Sequence, residues 1–177
     1  FTSKRVIANQ KRSFEHAVLS VLPGMYDADA SNLELHRIFK EQIVRHDEFT
    51  AGAYTMRKDG QLIACALTIQ GLGFWAPIKG VIGIAADQKT ITGVVFYEQK
   101  ETPGLCAQIT TIQFRGQFPG KVMSMGPKAL SFKRPGDILG QSDVHAVTGA
   151  TQTSARLEKI INNGLRNWLL KMAKEEN

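Results

Sequence analysis

The chain has 177 residues, 43% hydrophobic and 21% charged, an ordinary globular composition that excludes a largely disordered polymer. At that length one domain, residues 1–177, is expected, with enough chain to bury its own core. A formal net charge of +6 suits an anionic partner, but Lys and Arg are scattered and do not alternate with aromatic residues, so nucleic acid is not expected. An anionic bilayer surface fits that charge better.

No run of about 18 apolar residues is present, and Phe1-Thr2-Ser3-Lys4-Arg5 does not open a signal peptide. From residue 3 to residue 22, Ile7, Phe14, Ala17, Val18, Val21 and Leu22 follow a partly helical spacing, interrupted by Gln10 and Lys11. Pro23-Gly24 stops it, so residues 1–24 are expected to hold an N-terminal helix. A weaker helical signal surrounds Leu35, Ile38 and Phe39.

Alternation then takes over. Residues 53–58 and 61–69 flank Asp59-Gly60, a hairpin signal because glycine adopts positive φ without steric cost. Residues 80–85 and 91–97, joined through residues 87–90, form a second pair, and the middle of the chain reads as an antiparallel sheet. Cys65 falls in a strand and reads as a small hydrophobe. With Cys106 it makes too few thiols, too far apart, for zinc, although a disulfide stays open if the domain faces an oxidising compartment. His16, His36 and His46 share no ligand spacing, and no metal site is expected.

Beyond the strand ending near Tyr97, Glu101-Thr102-Pro103-Gly104-Leu105 contains a Pro-Gly tight turn. The last third of the chain holds Asp143-Val144-His145-Ala146-Val147-Thr148-Gly149-Ala150-Thr151 followed by a long amphipathic pattern. Leu157, Ile160, Ile161, Gly164, Leu165, Trp168, Leu169 and Met172 fall at steps of three and four, a stripe that should pack on the sheet. Strands closed by such a helix define an α+β fold, an antiparallel sheet packed with helices. The Thr-Gly-Ala turn delivers the Thr151 hydroxyl to the helix mouth, where unpaired N–H groups and the positive dipole end favour a phosphate. Thr151 would equally serve as an ordinary N-cap. No hydrolase pair, dinucleotide fingerprint or P-loop is present.

The segment from Asp143 to Thr151 resembles, position for position, the flavinylation motif of the FMN-binding domain family: Asp, four residues, Ser or Thr, then Gly-Ala-Thr. Glu101 to Leu105 is similar to a signature of two members, the G subunit of the Rnf electron-transport complex and the C subunit of the sodium-translocating NADH:quinone reductase. Gly73-Phe74-Trp75-Ala76-Pro77-Ile78-Lys79-Gly80 resembles a third stretch of those subunits, and Leu22-Pro23 with Tyr26-Asp27 resembles the N-terminal region of the Rnf subunit.

The resemblance implies FMN joined through its phosphate to Thr151, with Thr148, Gly149 and Ala150 forming the acceptor turn. It also implies Leu105 against the ring face and Glu101, Thr102 and the backbone near Gly104 facing the flavin. Trp75 reads as a core aromatic from composition and as a flavin-lining residue from the resemblance. Lys133 reads as a solvated lysine or as a cation stabilising negative charge on the flavin. Asp143 has two readings as well, a turn bond or the organisation of the acceptor loop or a cation during flavin transfer. Cys106 stands where the family usually has Gly.

By the same resemblance the domain is an electron-carrying subunit of a membrane complex. The resemblance further implies a membrane anchor preceding Phe1, a flavin transferase acting during maturation, and a position on the extracytoplasmic face of the inner membrane. A flavin-binding sensory or regulatory module of a membrane protein is the alternative. A free-standing flavoprotein serving another oxidoreductase is a third.

Overall fold

The computed structural model describes residues 2–45, 52–73, 76–99 and 108–175. The chain runs α1 (Thr2–Val21), α2 (Asn32–Gln42), β1 (Ile43–Arg45), β2 (Tyr54–Lys58), β3 (Gln61–Leu72), β4 (Pro77–Ala85) and β5 (Ile91–Gln99). A short 3-10 turn and α3 (Ile112–Arg115) lead to β6 (Ser131–Lys133), β7 (Asp143–His145) and α4 (Thr151–Glu175). The first five strands form one antiparallel sheet in sequence order. Asp59 and Gly60 both take positive φ, 51° and 80°, and close the β2–β3 hairpin as the Asp-Gly signal requires.

The sheet separates two cores because successive residues of a strand face opposite sides. Cys65, Leu67 and Ile69 of β3 point to one face, where Leu157, Ile161, Leu165 and Trp168 of α4 cover them. Ala64 and Ala66 point to the other, beneath Val18, Leu19 and Leu22, with Leu35 of α2. Each large apolar side chain removed from water contributes roughly 1.5–3 kcal/mol. Two glycines set how closely α4 approaches β3: a Cβ on Gly71 would lie 2.5 Å from Ile160 Cγ1, and one on Gly164 would lie 2.5 Å from Ile69 Cγ2.

α1 runs through Gln10 and Lys11, and the break they make in the apolar spacing falls where residues 5–13 are all exposed and no core-facing stripe is needed. Two features depart from the sequence reading. β1 extends the sheet by pairing Ile43 with Met56. β6 and β7 form a separate parallel pair, Ser131 opposite Asp143 and Lys133 opposite His145, which no alternation announces.

Candidate functional site

The loop between β7 and α4 is held at both ends. Ala146 N–H donates to Lys133 O at 2.8 Å, and Val147 N–H donates to Ser154 Oγ at 3.0 Å. Gly149 turns the chain with φ +73°, a conformation that residues bearing a Cβ adopt at a cost. Ala150 N–H returns to Val147 O at 3.2 Å, and Ser154 N–H reaches Ala150 O at 2.9 Å. The first-turn amides from Thr151 onward have no acceptor inside the helix, which is the ordinary condition of a helix start. They open toward the loop.

Four hydroxyls lie within seven residues here, and burial separates them. Thr148 and Thr151 are exposed, whereas Thr153 and Ser154 are 4% and 3% exposed. Ser154 is further committed to Val147. Ala150 is buried in the α4-side core, so its methyl supports the turn from beneath.

A cleft of about 390 Å³ adjoins Thr151 and is lined by Lys133, Thr148, Gly149 and Thr151 together with Phe132 and Glu158. The structure thus brings four of the anticipated residues, from β6 and from the acceptor turn, to one cavity. Lys133 is half-buried and its backbone is fixed by β7. A hydroxyl, a lysine and a helix start around one opening suit a phosphate.

Glu158, Asn162 and Arg156 hold this arrangement together and were not anticipated. Glu158 accepts from Phe132 N–H at 2.9 Å and pairs with Lys128 at 2.9 Å. Asn162, one turn on, accepts from Leu130 N–H at 3.1 Å and donates to Leu130 O at 2.8 Å. They strap β6 to α4. The available signal was their spacing, since 151, 158 and 162 fall within one side of a helix. Arg156 donates to Gly73 O at 3.0 Å, fastening the start of α4 to the stretch that leads into residue 75.

Asp143 accepts from Gly140 N–H at 2.9 Å, the turn bond of its two readings. His145 exchanges main-chain bonds with the Gln117 amide, 2.7 Å from its N–H and 3.3 Å to its carbonyl. At the end of β5, Lys79 pairs with Glu98 at 2.9 Å, and that bond holds the lysine pKa above its ordinary value. Cys65 is a free thiol, pushed up to about 12 by burial. Trp75, Glu101, Thr102, Gly104, Leu105 and Cys106 lie outside the described residues. The described residues therefore cover only the part of the expected site around the acceptor turn and Lys133.

An antiparallel sheet backed by a long helix that opens on an exposed threonine beside a lysine-lined cleft defines an α+β domain with the features of a phosphorylated-cofactor site. The model of the FMN-binding domain family matches residues 73–166, just over half of the chain, and the chain belongs to that family. Among curated relatives, the C subunit of the Na(+)-translocating NADH-quinone reductase of Pasteurella multocida is 30% identical over 122 residues, covering 67% of this chain and 45% of the relative. Its counterpart of the same name from Pseudomonas aeruginosa is 29% identical over 133 residues, covering 72% and 49%. The chain spans less than half the length of these relatives.

Two crystal structures share the fold. The C subunit of the Na(+)-translocating NADH-quinone reductase from Parabacteroides distasonis superposes with a TM-score of 0.70 at 24% identity, over 97% of this chain and 96% of that one. Shewanella oneidensis NqrC gives 0.74 at 19% identity, over 96% and 99%.

Proposed function

We propose that this chain carries FMN esterified through its phosphate to the Thr151 hydroxyl, and that it is an electron-carrying subunit of a membrane complex like the sodium-translocating NADH-quinone reductase. The observation that carries the reading is the exposure of Thr151 at the first position of α4, on a cleft shared with Lys133, inside the family match. The names of the curated relatives favour the quinone reductase over an Rnf-type complex.

When bound, the flavin supplies the redox chemistry, and the protein supplies position and edge electrostatics. Gly149 leaves the hydroxyl open to a flavin transferase. The helix start and Lys133 hold negative charge at the phosphate end. Trp75, Leu105, Thr102, Glu101 and the backbone near Gly104 complete the ring end. Among the described residues no helix is long and apolar enough to cross a membrane. A membrane anchor outside the described residues and an extracytoplasmic position are part of the proposal.

Mass spectrometry of tryptic peptides from protein made in its native host tests it. The peptide containing Thr151 should carry the mass of FMN less water. Thr151→Val should lose all covalent flavin while keeping its unfolding free energy within about 0.5 kcal/mol, as expected of an exposed position. Flavin mapped to Thr148, Thr153 or Ser154, or retained by the Val variant, would overturn the assignment.

A further inference from the structure

α1 is only half a core helix. It runs antiparallel to β5: the Phe14 ring meets the Tyr97 ring at 5.6 Å, while Val21 O, two turns later, accepts the hydroxyl of Thr92. Residues 5–13 therefore project past the end of β5, and all of them are exposed although they remain helical. That is the end of the sheet where β3 hands over to β4 and where Arg156 of α4 reaches Gly73.

The overhang has a distinctive composition. It holds Arg5, Lys11 and Arg12, and α1 has no acidic residue before Glu15. At about 100° per residue, positions 5 and 12 form one column and position 11 flanks it, an arc of roughly 120°. Val6, 48% exposed, falls opposite that arc, and Ile7, 63% exposed, lies between them, about 40° beyond Lys11. A basic column beside exposed apolar residues, on a helix with no core beneath it, is the pattern of a helix that lies in a lipid headgroup layer. A purely acidic protein surface would meet the charges but would leave Val6 and Ile7 in water.

We propose that the first half of α1 is an adsorbing arm for an anionic phospholipid surface, which turns the Thr151 end of the domain toward the bilayer. The inference rests on charge, exposure and topology and is independent of the flavin reading.

The test is flotation of the purified chain with vesicles of phosphatidylcholine containing about one third phosphatidylglycerol, against pure phosphatidylcholine, at low and high salt. Two variants share the same net charge of +3, each removing three positive charges from +6: Arg5→Gln/Lys11→Gln/Arg12→Gln on α1, and Arg166→Gln/Lys171→Gln/Lys174→Gln on α4. Circular dichroism should report the same helix content for both. The unaltered chain should bind the anionic vesicles and leave them at high salt. The α1 variant should bind at least about tenfold more weakly, and the α4 variant within about twofold of the unaltered chain. A fluorophore on Thr151→Cys should be quenched by a lipid-borne quencher more than one on Lys174→Cys, each placed in a Cys65→Ala/Cys106→Ala background.

Equal loss in the two variants would reduce the effect to net charge and overturn the proposal. So would equal binding to neutral vesicles, no binding by the unaltered chain, or quenching that favours residue 174. Arg5-, Lys11- and Arg12-dependent capture by soluble polyglutamate without vesicle binding would replace the lipid by an acidic polypeptide.

Discussion

The two long helices, α1 and α4, solve the same problem on opposite faces of one sheet in different ways. α4 runs its apolar stripe over β3 from Leu157 to Trp168, with glycines on both partners allowing close approach. α1 buries only the turns from Phe14 to Val21, with Leu22 just beyond, and leaves residues 5–13 in solvent. A continuous stripe marks continuous contact, and an interrupted one marks where the contact ends rather than where the helix ends. Helix and footprint are separate quantities.

The largest way to break the comparison is to remove the close approach. Gly164→Val would drive a side chain into Ile69, and overpacking of this kind should cost about 3 kcal/mol in urea unfolding. On the α1 face the tight position is Gly83, where a Cβ would lie 2.3 Å from Val21 O, whereas at its partner Gly93 a Cβ meets Val21 no nearer than 3.5 Å, so Gly93→Ala should stay within about 0.5 kcal/mol of the parent. A cost at Gly93 as large as that at Gly164 would mean that Val21 leaves no room for a methyl there.

Glu158→Ala sharpens the comparison at the edge of α4. It removes the acceptor of Phe132 N–H and the partner of Lys128. A loss of about 1–2 kcal/mol is expected, together with faster hydrogen exchange at Phe132 than at Ile82 in the main sheet. Unchanged exchange at Phe132 would mean that β6 does not depend on this strap.

The smallest effect concerns Cys65, whose thiol packs beneath α4 and is pushed up to about 12 from 9.0. The folded state holds its proton more tightly than the unfolded chain. The stability this represents is fully present below pH 9.0 and is lost as pH rises from there toward about 12. Iodoacetamide at pH 8 should modify Cys65 only as fast as the fold opens, so Gly164→Val should accelerate labelling and Gly93→Ala should not. Labelling at the rate of a free thiol in the parent would contradict that burial.

What the sequence disclosed follows from the range of the interactions involved. The α4 stripe, the Asp59-Gly60 turn and the strand alternation are local patterns, and each appears in the fold. β6 and β7 did not appear in the pattern because three-residue strands have no period to read; β6 is held by Glu158 and Asn162, 26 and 32 residues away along the chain. In the candidate site, the turn at residues 148–151 was legible from its residue types. The partition of hydroxyls was not, because whether Ser154 faces inward depends on how α4 seats on the sheet. Asp143 was legible as an acid in a loop, but its bond to Gly140 is a matter of loop closure.

Thr151 is also a mechanical position. It is the first residue of a helix of 25 residues, a rod of about 37 Å at 1.5 Å per residue, seated along the sheet from Leu157 to Trp168. Its side chain is thus mounted on that rod, which meets the five-stranded sheet from Leu157 onward, and on a preceding loop tied at Ala146 and Val147. Any group borne on the Thr151 hydroxyl therefore swings about its own linking torsions on a stiff mount, and its reach is set by the length of its linker.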